Sequence, residues 1–234
     1  MAIVYNTKIV RDGLSAHLDA ANSKSFPGSG NSWKDISGNG RHFTIYGATH
    51  DGTYFTFDGV NDYCSTTGAS PTHSQTTPET VELVFRMKRL PSAEYTDGML
   101  YGHRFGDNLM FIVWPAESSV SSVGVAYDDS RYATSAKSSH KIAVDEWVHF
   151  TTVMEGTRLV TYYINGELDT NQFTISNATV DTSSFRIGRS DRDTGGNGLM
   201  YSKMDFAILR HYDAALTASE VKQNFNATRD RFGL

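Results

Sequence analysis

A single cysteine in 234 residues excludes an intrachain disulfide, so the fold must hold through burial and hydrogen bonding, and Cys64 itself reads as a small buried hydrophobe. Long apolar runs are missing too. Met110-Phe111-Ile112-Val113-Trp114 is far too short to span a bilayer, and Met1-Ala2-Ile3-Val4-Tyr5-Asn6-Thr7-Lys8 lacks the apolar core of a signal peptide. The expectation is a chain made in a cytoplasm, with no membrane partner. Basic clusters are equally absent: 21 Lys and Arg stand against 26 Asp and Glu, for a net charge of −5, so nucleic acid is not expected as a partner. No repeat, heptad array or linker interrupts the chain, which reads as one domain over 1–234 with an N-terminal arm or edge strand at 1–12.

What the chain does contain is alternation. Leu14, Ala16 and Leu18 alternate with Ser15, His17 and Asp19, as in a strand with one face buried. Val81, Leu83, Phe85 and Met87 alternate with Glu82 and Arg86, whose face is expected to reach solvent. Residues 147–154 are apolar on both parities, which suits a strand covered on both sides, and Met204, Phe206 and Ile208 alternate in a last strand. Asn165-Gly166 between apolar segments is a hairpin signal, because both positions tolerate positive φ. Thr217 and Glu220 form a capping box, Leu216 and Val221 a hydrophobic staple, and Phe225 extends the apolar stripe of a short helix over 217–226. With 20 Gly for turns and 28 aromatic residues (13 Phe, 12 Tyr and 3 Trp) for a core, the pattern is that of an all-β, two-sheet antiparallel sandwich with one short C-terminal helix.

Trp33-Lys34-Asp35-Ile36-Ser37-Gly38-Asn39-Gly40 lies near the start, and Met204-Asp205-Phe206-Ala207-Ile208-Leu209 runs into Leu216-Thr217-Ala218-Ser219-Glu220 near the end. Between them come Phe57-Asp58-Gly59 with Asn61-Asp62-Tyr63, then Trp147-Val148-His149-Phe150, Tyr163-Ile164-Asn165-Gly166-Glu167-Leu168 and Phe185-Arg186-Ile187-Gly188. In this order the segments resemble a laminin-G-like domain of the concanavalin A-like lectin superfamily, which implies a jelly roll whose terminal segments meet. The tips carry a narrower resemblance. Met1-Ala2-Ile3-Val4-Tyr5, Asp12-Gly13-Leu14, Leu18-Asp19-Ala20-Ala21-Asn22, Ser25-Phe26-Pro27-Gly28-Ser29-Gly30 and the ending Gln223-Asn224-Phe225-Asn226-Ala227-Thr228-Arg229-Asp230-Arg231-Phe232-Gly233-Leu234 are similar to laminin-G-like structural proteins of tailed bacteriophages. That similarity implies a virion location, decorating a capsid or forming part of a tail or fibre, with other virion proteins as partners in a symmetric assembly. The alternative is a lectin-like module that binds host surface polysaccharide. Ile3, Val4, Tyr5, Ile9 and Val10 are expected either in the assembly contact or in an edge strand.

A polysaccharide hydrolase on such a sandwich would set two carboxylates on one strand face. The Glu-x-Asp-x-x-Glu pattern is absent, and Glu79 and Glu82 point to opposite faces of an extended strand. The eight histidines form no His-Glu-x-x-His, and the glycine-rich loop 195–198 lacks the Lys-Ser/Thr ending of a phosphate loop, so no enzymatic activity is expected. Asp35 and Asn39 either ligate calcium or hydrogen-bond turn amides; the resemblance adds Asp205 as the third ligand of one structural calcium. Asp58, Asn61 and Asp62 form a weaker second corner. Glycan candidates combine aromatic planes with planar hydrogen-bonding groups: Tyr101, His103 and Arg104; Tyr127, Asp129, Arg131 and Tyr132; Arg189, Asp191 and Asn197. Trp33, Trp114 and Trp147 are expected in the core.

Overall fold

The computed structural model describes residues 8–66, 73–74, 77–91, 98–102, 110–115, 117–126, 137–174, 180–181, 184–191 and 199–234. In chain order the strands are β1 Leu14–Asp19, β2 Ser32–Trp33, β3 Phe43–Tyr46, β4 Thr49–His50, β5 Phe55–Asp58, β6 Tyr63–Thr66, β7 His73–Ser74, β8 Pro78–Met87, β9 Met99–Gly102, β10 Met110–Val113, β11 Val120–Ala126, β12 Lys137–Ala143, β13 Val148–Glu155, β14 Leu159–Ile164, β15 Glu167–Thr174, β16 Val180–Asp181, β17 Arg186–Ile187, β18 Arg189–Asp191, β19 Leu199–Tyr201 and β20 Lys203–Tyr212. Helix α1, Ala218–Asn226, and a 3-10 turn, Arg229–Arg231, follow. One sheet runs β15-β14-β13-β8-β20-β5-β4 with β1 also on β20, and the other runs β12-β11-β10-β9-β17-β6-β3-β2. The expected antiparallel sandwich with one short C-terminal helix is therefore present.

Large side chains close the space between the sheets. Val81, Leu83, Phe85 and Met87 from β8 and Phe150 from β13 meet Tyr101, Phe111, Trp114 and Phe185 from the other sheet's side, with the Trp33 ring 4.7 Å from that of Phe55 at a tilt of 57°. Trp33 and Trp114 are core residues as expected. Trp147 is not: it lies half-buried on the outer face of the first sheet, against Tyr54 and Phe232.

Strand β20 departs from simple alternation. Its register against β8 shifts between Phe206 and Ile208, so Ala207 is an extra residue, a β-bulge. Met204, Phe206 and Leu209 consequently face the inter-sheet core, whereas Ile208 joins Val84 and Phe232 on the outer face. The expected grouping of Ile208 with Met204 and Phe206 is corrected by that bulge. The bulge also marks a handover: Lys203 to Phe206 pair with β5, Ile208 to Tyr212 pair with β1, and the Ala20 N–H donates to the Ala207 carbonyl at 2.9 Å. A second irregularity at Ser15 pairs Leu14 with Tyr212, away from Ala16 and Leu18.

The outer face of the first sheet is not open to water. The arm from Lys8 to Val10, helix α1 and the C-terminal turn lie over it, so Glu82 is fully buried and β1 is covered on both sides from Ser15 onward. Both sequence expectations of a wet face are corrected for the same reason: the chain's ends supply a third layer. Beneath it the Glu82 carboxylate accepts from Arg210 at 3.2 Å and from the Asn224 amide at 2.9 Å; the Val10 N–H donates to Asn224 at 2.8 Å, and Arg210 donates to the Thr228 hydroxyl at 3.0 Å. Residues 1–7 of the arm, with Ile3, Val4 and Tyr5, lie outside the described residues.

Local signals set the helix and hairpin. Thr217 caps α1 with both hydrogen bonds of the capping box, and Leu216 and Val221 share one apolar cluster, as a staple requires. Asn165 and Gly166 take φ of 53° and 73° between Ile164 and Glu167, the geometry of a type I′ turn. Gly166 is needed twice, because a Cβ there would also stand 2.8 Å from the Phe225 ring. Gly166→Val is expected to lower the unfolding free energy by about 1 to 3 kcal/mol from backbone strain alone, with the ring clash adding to it; chemical denaturation equal to the parent would place the constraint elsewhere. Phe225→Ala, which removes the buried ring from the hairpin, should cost about 3 to 5 kcal/mol in the same measurement.

Candidate functional site

Where the three layers meet, the arm, β1 and the C-terminal turn enclose a cleft of about 820 Å³. Lys8, Arg11, Lys24, Arg210 and Arg231 line it against one carboxylate, Asp19. Five cations to one anion is a sharp local excess in a chain of net charge −5. Asp19 is bound at both oxygens by Arg231, at 2.6 and 3.1 Å, and Arg210 is held by Glu82; Lys8, Arg11 and Lys24 are exposed. His17 lies opposite Arg210 in the β1–β20 register and lines the same cleft. Its ring is buried, and neither nitrogen has a hydrogen-bond partner among the described residues. Burial, then the positive charges of Arg210, Arg11 and Arg231, push its pKa down to about 2, so the imidazole is neutral at pH 7. The arrangement offers electrostatic capture of an anion by exposed cations, with a neutral imidazole that can donate or accept one hydrogen bond.

Asp35 positions this floor. One carboxylate oxygen accepts from the backbone N–H groups of His17 and Ser37, both at 2.8 Å; the other accepts from the Ser37 hydroxyl at 2.9 Å and the Arg41 N–H at 3.0 Å. The Ile36 N–H then donates to the His17 carbonyl, setting Ile36 in the cleft wall. Asn39 donates to the Leu14 and Ser15 carbonyls. Asp205 belongs to a different network, accepting from Arg86 at 2.6 Å and Thr56 at 2.7 Å. Asp35, Asn39 and Asp205 thus spend their polar atoms separately, and the described residues contain no group of three or more His, Cys, Asp or Glu able to hold a metal ion. The Asp35 carboxylate takes four donors within its own turn and from β1, the hydrogen bonds that the turn-amide alternative describes. Asp58 likewise caps its own turn, accepting from Val60 and Asn61, and Asp62 accepts from the Asp58 N–H.

Of the glycan candidates, Tyr101 is corrected. Strand β9 is flanked by β10 and β17, and its Tyr101 ring points into the core, stacked on Phe185 at 4.9 Å and fully buried. Arg189 sits over the Tyr63 ring at 4.4 Å, and Asp191 pairs with Leu199 in the β18–β19 hairpin. His103, Arg104, Tyr127, Asp129, Arg131, Tyr132 and Asn197 lie outside the described residues. Sequence reasoning missed His17 and Arg210; the available signal was a histidine and an arginine within strands that carry many apolar residues.

A second polar row crosses the sheet end. The Ser15 hydroxyl lies 2.6 Å from His211 Nδ1, and His211 Nε2 lies 3.3 Å from a Glu79 oxygen, with Asp213 at 3.5 Å from Nδ1. Ser15, His211 and Glu79 are all buried, so substrate has no path to the hydroxyl. Burial alone would lower the His211 pKa, but the Glu79 and Asp213 carboxylates overcome it and raise the pKa above the ordinary histidine value.

Residues 57–222 match the laminin G 3 family model, described as the Concanavalin A-like lectin/glucanases superfamily. The chain belongs to this family. This laminin-G-like domain resembles Trypanosoma rangeli sialidase in complex with 2,3-difluorosialic acid, with a TM-score of 0.63 and 18% identity, over 94% of the domain and 33% of the sialidase chain. A mutant of that sialidase displaying trans-sialidase activity matches at a TM-score of 0.63 and 18% identity, over 95% of the domain and 34% of that chain. The binding domain of botulinum neurotoxin DC in complex with SialylT matches at 0.62 and 10% identity, over 93% of the domain and 52% of that chain. No curated protein matches in sequence. The domain spans about a third of the length of the sialidase chains, and at these identities the likeness is one of fold. The expectation of a chain without enzymatic activity is nonetheless corrected, since sialidases are among the structures that share this sandwich. The two-carboxylate pattern tests only one glycosidase geometry, so its absence does not decide the question.

The buried histidines predict a stability maximum. His17 and His149 have folded pKa values lowered to about 2 and about 3, both mainly by burial, so their contribution is present above the unfolded value near 6.5 and lost as pH falls. His211 is raised, so its contribution is present below that value and lost as pH rises through the folded pKa. Unfolding free energy should therefore peak near pH 6.5 and fall on the acid side by up to about 1.4 kcal/mol per pH unit for each lowered histidine. Denaturation curves across pH check this: His17→Gln should flatten the acid limb and His211→Gln the alkaline one.

Proposed function

We propose that this laminin-G-like domain binds acidic saccharides, with the anionic group held in the cleft between the arm, β1 and the C-terminal turn. The observation that carries the reading is the buried, unpartnered His17 ring among five cations in a chain of net negative charge. A volume of about 820 Å³ suits one or two sugar rings. The complexes with a sialic acid analogue and with SialylT, both formed by proteins that share the sandwich, support a carboxylate-bearing sugar as the first class to test. The likeness of the chain's tips to phage structural proteins supports a virion setting, in which the domain would hold host surface polysaccharide beside other virion chains.

Calorimetric titration of the chain with 3′-sialyllactose and with lactose tests the proposal. Sialyllactose should bind, weaken with added salt, and outcompete lactose by at least about tenfold. The double variant Lys8→Glu, Arg11→Glu should lose that preference. Because burial and the neighbouring cations hold the His17 pKa down to about 2, the ring stays neutral near pH 7 and affinity should be insensitive to pH there. Equal binding of the two sugars, or indifference to the double variant, would overturn the reading.

A further inference from the structure

The other sheet carries a different surface. Phe43 and Ile45 of β3 and Cys64 of β6 point into the core, which turns Tyr46 and Tyr63 outward. These two are direct partners in the β3–β6 register, and their rings stack at 4.4 Å with planes 7° apart. With Tyr46 on one face of Tyr63, the Arg189 guanidinium lies over the same ring at 4.4 Å, and Tyr201 flanks the pair, 6.0 Å from the guanidinium and 6.3 Å from Tyr63 with its plane tilted by 51°. The result is a short column of Tyr46, Tyr63 and Arg189, braced from the side by Tyr201. Its terminal ring, Tyr46, is 44% exposed.

We propose that Tyr46 is a stacking subsite for a neutral pyranose ring, on the face of the sandwich opposite the cationic cleft. The polarised C–H face of a hexose adds to the parallel Tyr46–Tyr63 pair as another plane would, and the ring it meets is already held by its neighbour. The 58–62 turn closes against the same end of β3. Gly47, at φ +81°, follows Tyr46, and a Cβ there would stand 1.9 Å from an Asp62 carboxylate oxygen, so glycine lets the 58–62 turn close against the end of β3. That turn presents the exposed Asn61 to sugar hydroxyls. The other exposed large hydrophobics among the described residues, Val60, Val144, Leu168 and Leu199, are aliphatic and offer no such plane.

The test is independent of the cleft. The full chain is titrated with methyl β-galactopyranoside while the tyrosine ring resonances are followed by NMR. Saturable shifts are expected at Tyr46 and Tyr63, retained in Tyr46→Trp and weakened about tenfold in Tyr46→Ala, the loss of one stacking contact. The Lys8→Glu, Arg11→Glu variant should titrate as the parent does, whatever becomes of sialyllactose binding. Absence of saturable shifts, equal affinity in a folded Tyr46→Ala variant, or Tyr46-dependent self-association in place of sugar binding would overturn the proposal.

Discussion

The buried Glu82 carboxylate holds both chain ends to one sheet. Arg210 answers its charge and Asn224 fills its second oxygen, and from these two residues the contacts spread to Val10 in the arm and Thr228 in the C-terminal turn. A carboxylate removed from water is costly unless its partners stay in place, so each contact depends on the others. Burial raises the Glu82 pKa while Arg210 and Asn224 oppose the rise, a balance that only the closed third layer maintains. The cationic cleft exists because of this closure: its walls come from residues near 8–11, 17–24 and 227–231, which approach one another only when the ends are docked.

Two bulges translate that closure into geometry. The extra residue at Ala207 lets a single edge of β20 serve β5 along one half and β1 along the other, and it turns Ile208 outward to receive Phe232. The irregularity at Ser15 turns Leu14 toward the terminal layer while leaving Ala16 and Leu18 in the core side of the register. Without the bulge at Ala207, Arg210 would fall on the core face with Met204 and Phe206, since a one-residue slip exchanges the two faces of a strand.

The two surfaces differ in what they offer a ligand. The cleft concentrates charge and keeps one imidazole dry, which favours anions. The tyrosine column presents a fixed apolar plane with a cation behind it, which favours ring faces. The tyrosines of the column stand on strands, as do His17 and Arg210 of the cleft, whereas Lys8, Arg11, Lys24 and Arg231 reach it from the arm and turns. The family to which the domain belongs is described by lectins and glucanases together, in keeping with a sandwich whose outer faces can be fitted for recognition in more than one way.

Local chemistry by itself determined much of this protein. Period-two alternation located β8, apolar residues on both parities located β13, the φ demands of Asn165-Gly166 located the hairpin, and Thr217 with Glu220 located the helix start, because each signal acts within a few residues. Asp35 was also legible as a turn-building carboxylate, though its clamp on His17 was not. Tertiary structure alone decided what lies opposite each strand face. Alternation marks Glu82, His17 and Asp19 as polar positions but cannot distinguish water from a layer made by residues two hundred positions away, nor can it show an extra residue that reverses the faces of β20 midway. The cleft and the Tyr46–Tyr63–Arg189 column are products of that long-range placement. Their chemistry belongs to no segment of the sequence, only to segments brought together.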